Sequence, residues 1–263
     1  RMAKDLSQKP IAILASISEN LDEGLTDYLM SNGIVPLCGM AEGLAAIATV
    51  AQIGNSLKSN PDASPILLPN ACEHTVVLTE RDAKHVLAQY GVVIPKSTVR
   101  AAAQVGEPFD LAFPVVIKAH GIAHKTDAGG VRIGIATQNA LNDAAAEMGF
   151  ESYLIEEMIT GGALDLLVGV VCDPAHGFML TLAAGGVMTE ILADSTTLIL
   201  PVTRDDVDHA LDRLKVAPIL AGYRGAMPLD RAGVIDTVMA VQSYVMDNQA
   251  QLGEVEINPV IVT

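Results

Sequence analysis

"VVIKAHGIAHKTDAGGVRIG", residues 115–134, contains two apolar runs joined by a loop that ends in two glycines. The first run carries Lys118 near its end, and the second begins at Val131, directly after Gly129 and Gly130. This pattern predicts two paired strands with a fixed positive charge and an open backbone between them. Polyphosphates are held by charge-assisted hydrogen bonds and by closely approaching backbone, so the stretch favours a phosphate site. Taken alone, it is equally consistent with a plain hairpin turn and a solvated lysine.

The composition of the chain limits the functions that such a site could have. The chain has 263 residues, half of them apolar, which is enough to bury a substantial core. Its 31 acidic residues against 16 basic ones argue against broad binding to nucleic acid or to an anionic membrane. The three cysteines show no CxxC spacing, so neither a zinc site nor a disulfide framework is indicated, and we expect a cytoplasmic protein. No apolar run reaches the roughly 18 residues of a membrane span.

The chain divides into two predicted parts. Residues 10–57 alternate strand, helix, strand and helix, a βαβα pattern that implies parallel strands. This is too short for a complete doubly wound domain, so we expect the last piece of one and a natural chain that is longer. Residues 58–70 are rich in Pro, Ser, Asn and Asp and lack periodicity, as a linker does. The predicted division is a first domain over 1–62, a linker over 63–75 and a second domain over 76–263.

The second domain is predicted to mix helices with antiparallel strands, which makes the fold α/β followed by α+β. Its first helix spans 78–91, where Thr79 and Asp82 resemble a capping box, and an alanine-rich helix is expected near 99–105. The predicted strands are 113–119, 131–136, 152–159, 164–173, 177–186 and 253–262, and the later helices are 203–215 and 229–247.

Carboxylates lie at the ends of two of these strands. Glu156 and Glu157 end the strand "YLIEE", and Asp165 opens the next one. Such side chains could accept hydrogen bonds from a ribose or an amino group while the adjacent main chain reads an adenine edge. They are also consistent with a solvated strand end.

The last strand carries an acidic and an amide side chain at alternate positions. Glu256 and Asn258 in "EINP" are two residues apart and are expected on one face. Mg²⁺ prefers oxygen ligands of this kind and is usually bound through one or two carboxylates plus substrate phosphates. An isolated pattern of this sort has little specificity, but together with Lys118 it favours a magnesium–nucleotide site.

Five segments, in order along the chain, resemble the ATP-grasp domain of the NDP-forming acyl-CoA synthetases, the ADP-forming acetyl-CoA synthetase group related to succinyl-CoA synthetase. Residues 10–57 also resemble the end of that family's CoA-ligase-like flavodoxin region. The resemblance implies a partial flavodoxin-like parallel βαβα unit followed by an ATP-grasp α+β domain. The segments are "PVVIKAHGIAHKTDAGGVRIG", "YLIEEMITGGALDLLVGVVCDP", "AAGGVMTEIL", "ILAGYRG" and "GEVEINPVIV".

The resemblance also implies a set of site residues. Lys118 matches a lysine that contacts the ATP phosphates, and the main chain of 156–159 matches the adenine hinge. Asp165 matches a nucleotide-binding acidic position but departs from the family, which more often has glutamate there. Its shorter side chain should therefore weaken the contact with the nucleotide. The implied nucleotide-binding residues are Lys118, Lys125, Gly129, Gly130, Val131, Glu156, Glu157, Met158, Ile159, Asp165 and Glu190, and the implied metal ligands are Glu256 and Asn258.

His124 is the implied catalytic partner of Lys118. In the family, acyl phosphate passes its phosphoryl group to a histidine upstream, and the histidine of the HK pair has been proposed as a second relay to ADP. A neutral imidazole is a nucleophile near pH 7, and its phosphoramidate is a reactive donor. The alternative is that His124 only donates a hydrogen bond to phosphate or binds a loop carbonyl.

The implied function is the nucleotide-binding, phosphoryl-transferring part of an acyl-CoA synthetase, which reversibly converts acid, CoA and ATP into acyl-CoA, ADP and phosphate. Its cofactors would be ATP/ADP and Mg²⁺, with CoA as a substrate of the complete enzyme. Its expected partners are upstream CoA-binding domains or a CoA-binding subunit, in an oligomer that binds neither nucleic acid nor membrane. Two alternatives remain open: a non-catalytic ATP-grasp sensor module of a protein acetyltransferase, and an ATP-grasp ligase that joins a carboxylate to an amine.

Overall fold

A computed structural model of the chain describes residues 9–59, 76–122, 129–186 and 193–263. The chain forms two compact units, Arg1–Pro65 and Ile66–Thr263. The boundary between them falls inside the predicted linker, whose limits stay a prediction. Within the described stretches, no helix is both long and apolar enough to cross a membrane.

The first unit has the predicted alternation of strands and helices. Strand β1 (Ala12–Ala15) pairs in parallel with β2 (Val35–Cys38), as the βαβα pattern requires. Between them lies helix α1 (Glu23–Ser31), and β2 is followed by helix α2 (Met40–Ser59). The carboxylate of Asp22 caps α1 by accepting a hydrogen bond of 2.7 Å from the backbone N–H of Leu25.

Much of the first unit's apolar surface is exposed. Side chains from β1, β2 and α2 are between 42% and 68% exposed; among them are Ile13, Val35, Ile47 and Val50. Parallel sheets normally have both faces covered by other elements. The two strands and two helices of this unit cannot provide that cover, which is what a partial doubly wound domain would show.

The second unit contains two four-stranded antiparallel sheets. The first has the strand order β3-β6-β4-β5 and packs one face against helix α4 (Gln138–Met148). The predicted pairing across the glycine loop is confirmed, because β4 and β5 are antiparallel neighbours. The strands of this first sheet are β3 (Ser97–Ala101), β4 (Val115–Ala119), β5 (Val131–Ile135) and β6 (Ser152–Glu157).

The alanine-rich helix predicted near 99–105 is wrong. Its first residues belong to β3, and only a single turn of 3-10 helix follows, over Ala102–Gln104. Strand β3 pairs with β6 along its whole length, from Ser97 opposite Glu156 to Ala101 opposite Ser152. Pairing with a buried neighbouring strand therefore outweighs the helix propensity of alanine here.

The second sheet has the strand order β10-β7-β8-β9. Its strands are β7 (Leu164–Asp173), β8 (Gly177–Ala184), β9 (Ser195–Ile199) and β10 (Glu254–Val262). The sequence predicted three of them but not β9, whose "STTLI" has neither an apolar run nor a turn signal of its own. This edge strand is held by its ladder with β8.

Helices cover one face of the second sheet. The predicted helices at 78–91, 203–215 and 229–247 are confirmed as α3 (Glu80–Gln89), α5 (Arg204–Asp212) and α7 (Arg231–Asn248), and a short helix α6 (Ala217–Leu220) was not predicted. The core between sheet and helices includes Val168, Phe178, Leu182, Leu87, Val207, Val238 and Val241. Helix α3 thus contributes Leu87 to this core, although its first turns reach the first sheet, as described below.

A smaller core lies between the first sheet and α4, and Tyr153 is its largest polar member. The Tyr153 side chain is fully buried. Its hydroxyl donates a hydrogen bond of 2.6 Å to the carbonyl of Ala145 and accepts one of 2.8 Å from the N–H of Phe150. The hydroxyl thereby satisfies the N–H of Phe150 just beyond α4 and gives the carbonyl of Ala145 a second donor beside the N–H of Gly149.

We expect Tyr153→Phe to destabilise the second unit by about 1–3 kcal/mol, because the N–H of Phe150 loses its partner and the carbonyl of Ala145 loses one of its two donors, while the ring volume is kept. Urea unfolding followed by circular dichroism measures this free energy. Tyr223→Phe is the matched control, since the Tyr223 side chain is 55% exposed. Equal effects of the two substitutions would contradict this account of Tyr153.

Candidate functional site

Lys118 lies on the face of the first sheet opposite the small core. Its neighbours in β4, Ile117 and Ala119, are fully buried on the core side. Because side chains alternate along a strand, Lys118 points to the other face. Its side chain is 22% exposed, so the ammonium is not a freely solvated surface charge.

Four charged side chains meet at this face. The ammonium of Lys118 is 2.6 Å from Oε1 of Glu80 and 2.7 Å from Oε2 of Glu156. The ammonium of Lys84 is 2.9 Å from Oε1 of Glu80 and 2.5 Å from Oε1 of Glu156. Each cation therefore contacts both anions; we call Glu80, Lys84, Lys118 and Glu156 the charge cluster.

The charge cluster surrounds a buried carboxylate. The side chain of Glu156 is only 3% exposed, and a buried anion without a cation beside it would be strongly destabilising. Burial acts to lower the pKa of Lys118, but the adjacent carboxylates of Glu156 and Glu80 more than offset it, so the pKa of Lys118 is raised above its usual 10.5. Lys118 is therefore a firmly protonated cation at neutral pH.

Sequence reasoning missed two members of the cluster. Glu80 and Lys84 lie four residues apart on α3 and so face the same side of that helix. Their spacing predicts a helical ion pair, which is usually a solvated one. Nothing in the local pattern indicates that this side of α3 meets the strands that carry Lys118 and Glu156.

The double glycine lies beside Lys118. Val131 is opposite Lys118 in the ladder of β4 and β5, and the N–H of Ala119 donates a hydrogen bond of 2.7 Å to the carbonyl of Gly130. Gly129 has a φ of +66°, in the left-handed region that favours glycine. His124 and Lys125 belong to residues 123–128, and Glu190 to residues 187–192, all of which lie outside the described residues.

The predicted adenine hinge follows β6. The N–H of Glu157 donates to the carbonyl of Lys96 at 3.0 Å, and the N–H of Met158 donates to the carbonyl of Pro114 at 3.1 Å. These two donors are therefore used within the chain, so they fix the course of the hinge. The carboxylate of Glu157 is 3.9 Å from the largely exposed ammonium of Lys96, a geometry that contributes little to stability. The side chain of Ile159 is 41% exposed.

A second group of predicted residues lies on the second sheet. The N–H of Gly186 donates a hydrogen bond of 3.3 Å to Oδ1 of Asn258, and a side chain at Gly186 would come within 3.1 Å of a carboxylate oxygen of Asp165. Asp165 and Asn258 are thus both neighbours of Gly186. Glu256 lies opposite Gly169 in the ladder of β10 and β7, and Gly169 is on the same face of β7 as Asp165.

The oxygen atoms of this second group fit a hard cation. Two carboxylates and one amide oxygen, all from exposed residues of one sheet face, are the ligand type that Mg²⁺ prefers. Within the described ranges, no cluster of three or more His, Cys, Asp or Glu side chains could hold a metal by itself. The residues therefore fit a magnesium site that substrate phosphates and water would complete, as is usual for this ion.

The raised pKa of Lys118 gives a prediction at alkaline pH. Because the folded state holds this proton more tightly, its stabilisation is fully present below the usual pKa of 10.5 and is lost as the pH rises through the raised value. We therefore expect the difference in the free energy of unfolding between the wild type and Lys118→Met to narrow above that pH. Urea unfolding at a series of pH values measures it.

Lys215→Met removes an exposed lysine of the same unit and should change the free energy of unfolding by less than about 0.5 kcal/mol. A Lys118→Met difference that did not narrow above the usual lysine pKa would show that the ion pairs do not set the protonation of Lys118.

The model of the ATP-grasp domain family matches residues 71–263. The chain is 29% identical to the 4-hydroxybutyrate–CoA ligase (ADP-forming) of Nitrosopumilus maritimus, with 95% of this chain aligned to 39% of that protein. It is 31% identical to the beta subunit of acetate–CoA ligase (ADP-forming) II of Pyrococcus furiosus, with 70% of this chain aligned to 84% of that subunit. The chain thus spans about two fifths of the longer relative.

Solved structures agree with these sequence relationships. The chain resembles the dinucleotide-forming acetyl-coenzyme A synthetase 1 of Ca. Korarchaeum cryptofilum in complex with coenzyme A and Mg-AMPPCP, with a TM-score of 0.59 and 25% identity over 80% of this chain and 92% of that one. A second complex of that synthetase gives a TM-score of 0.62 at 24% identity. With an ATP-grasp match over most of its length and this similarity to a whole ligase subunit, the chain belongs to the ATP-grasp family and, within it, to the ADP-forming acyl-CoA ligases.

Proposed function

We propose that this chain is the nucleotide-binding, phosphoryl-transferring part of an acyl-CoA synthetase that converts acid, CoA and ATP reversibly into acyl-CoA, ADP and phosphate. The observation that carries the proposal is the ammonium of Lys118, which is largely buried, fully protonated and next to the glycine end of a strand pair. A cation in this setting binds phosphate oxygens strongly, because little water competes with it.

Lys118 and the adjoining backbone would bind the phosphate tail of the nucleotide. The glycines at 129 and 130 carry no side chain that would separate their backbone from phosphate oxygens. The main chain from Glu156 to Ile159 would lie along the adenine, fixed by its hydrogen bonds to Lys96 and Pro114. These residues bind and orient the nucleotide, which is how most catalysis of phosphoryl transfer is achieved.

Glu256 and Asn258 would hold Mg²⁺ at the second sheet. The bound ion would supply charge neutralisation to the phosphates during transfer. The hydrogen bond from the N–H of Gly186 to Asn258 keeps the amide oxygen of Asn258 in a fixed direction. Asp165, beside Gly186 on the same sheet, would bind the nucleotide, with a shorter side chain than the glutamate expected from the resemblance.

His124 would accept the phosphoryl group. An unprotonated imidazole nitrogen attacks the γ-phosphorus, an N–P bond forms, and the bond to the β,γ-bridging oxygen breaks, so that ADP leaves with that electron pair. The phosphoryl group would next pass from His124 to the histidine of the upstream part, as a new N–P bond forms there and the one at His124 breaks. A carboxylate oxygen of the acid would then attack this phosphorus to give the acyl phosphate, and the upstream histidine would leave as a neutral imidazole. The CoA thiolate would displace phosphate from the acyl phosphate to give the thioester. Every step can run in reverse.

The remaining steps need a partner that binds CoA. The relative in Pyrococcus furiosus is named a beta subunit, and the longer relatives extend well beyond the length of this chain. The exposed apolar side chains of the first unit provide a surface that further strands and helices of a doubly wound domain would cover. We infer that upstream domains, or a separate subunit in a cytoplasmic oligomer, supply CoA binding and the acid pocket.

The product distinguishes this function from its alternatives. With ATP, Mg²⁺, CoA and a short carboxylic acid, the full-length protein with its CoA-binding part should form acyl-CoA and ADP. Lys118→Met should lower the rate by at least about 100-fold, because a charge that binds the transferred group is lost. Lys215→Met, the exposed-lysine control, should retain the activity. Amide formation with an amine acceptor, or nucleotide binding without turnover, would reject the synthetase function.

Phosphohistidine formation tests the role of His124. With ATP labelled at the γ-phosphate, the wild-type protein should acquire an acid-labile, base-stable label, as expected for an N–P bond. His124→Asn should lose the label that is formed on His124 or passed on from it. His209→Asn, which changes an exposed histidine on α5, should keep that label. Undiminished labelling of His124→Asn would show that His124 only contacts phosphate.

A further inference from the structure

We propose that Lys84 is a positioning residue for nucleotide binding: it stays with Glu80 and Glu156 as their fixed counter-ion, so that Lys118 can turn from the two carboxylates to the nucleotide phosphates. The inference rests on the proposed function, since it explains how the phosphate-binding lysine is released. It adds a residue from outside the glycine loop, the hinge and the metal ligands.

The two lysines contact the same two carboxylates and share one oxygen atom of Glu80. Both ammonium groups contact Oε1 of Glu80, at 2.9 Å for Lys84 and 2.6 Å for Lys118. On Glu156 they take one oxygen each, Lys84 on Oε1 and Lys118 on Oε2. Two like charges that share one carboxylate oxygen repel each other, and each weakens the hold of the carboxylates on the other. Lys84 therefore makes it easier for Lys118 to leave.

The burial of Glu156 gives the same result. Among the described residues, its carboxylate has ion pairs with Lys84 and Lys118. When Lys118 pairs with phosphate, Lys84 stays beside this buried anion. Without Lys84, the almost fully buried carboxylate of Glu156 would lose its described cations and would face an anionic ligand. The loss of Lys84 would instead keep Lys118 bound to Glu80 and Glu156.

Lys84 and Lys118 are held in place by different parts of the fold. Its helix α3 inserts Leu87 into the core of the second sheet. At the end of that helix, the hydroxyl of Tyr90 donates a hydrogen bond of 3.1 Å to Asp247 on α7, and the Tyr90 ring packs edge-on against Tyr244 at 5.4 Å. Lys118, in contrast, extends from β4 beside the glycine loop. A ligand at that loop can attract Lys118 while α3 keeps Lys84 in place.

The test compares the nucleotide affinity of the full-length wild type with that of three variants. Isothermal titration with Mg-AMPPCP, a non-hydrolysable ATP analogue, gives the Kd of the wild type, Lys84→Met, Lys84→Arg and the double variant Glu156→Gln/Lys84→Met. We expect Lys84→Met to weaken binding by roughly tenfold or more, and Lys84→Arg to stay within about threefold of the wild type. The double variant should recover most of the loss, because it removes the buried negative charge that would otherwise have no cation once Lys118 moves to the nucleotide.

Recovery by a second substitution separates this role from a structural one, since removing a further contact would only add to a folding defect. Lys215→Met is the control for loss of one positive charge and should bind like the wild type. Should Lys84→Met fail to fold, Glu156→Gln/Lys84→Met is compared with Glu156→Gln alone, and a loss of more than about tenfold there would overturn the proposal. So would wild-type affinity in Lys84→Met, or no recovery in the double variant. A wild-type protein that does not bind Mg-AMPPCP would instead overturn the proposed function itself.

Discussion

The carboxylate of Glu156 is almost fully buried at the end of a strand, and it must have cations beside it. That requirement determines where Lys118 and Lys84 can lie, and therefore how α3 must approach the first sheet. The ion pairs hold together the two neighbouring central strands β4 and β6 and the first turns of α3, whose later turns belong to a different core. The polar face of the first sheet depends on this one anion.

The same anion accounts for the chemistry of the site. Desolvation alone would favour a neutral lysine at position 118, which would bind phosphate poorly. The neighbouring carboxylates reverse that effect and keep the side chain charged, while burial still limits competing water. A site made in this way binds anions strongly, but its cation is already paired with the carboxylates of Glu80 and Glu156. The nucleotide phosphates must displace these carboxylates from Lys118, and in the proposed role Lys84 lowers the free energy that this displacement requires.

Much of the fold could be predicted from periodicity. The apolar runs that became β4, β6, β7 and β8 are long enough and clearly bounded, and the parallel pair of the first unit followed from its alternation with helices. Strand β9 and the strand that replaced the alanine-rich helix could not be predicted in this way. Their conformations are fixed by hydrogen-bonded neighbours distant in sequence, and their local composition indicates something else.

The site residues also divide into those that the sequence could indicate and those that it could not. Lys118, Glu156, Glu256 and Asn258 lie on strands that the sequence predicted, and the spacing of Glu256 and Asn258 also predicted that they share a face. Glu80 and Lys84 could not be identified as site residues, because a pair spaced i, i+4 on a helix carries no information about which strand it meets. Only the tertiary packing of Leu87 turns that side of α3 towards the first sheet.

Helix α3 touches both sheets of the second unit, one through buried leucine and tyrosine contacts and the other through ionic ones. A change in the angle between the two sheets would therefore move Lys84 and shift its ammonium relative to Glu156. Such a change would alter how tightly Lys118 is held, because both lysines contact the same two carboxylates.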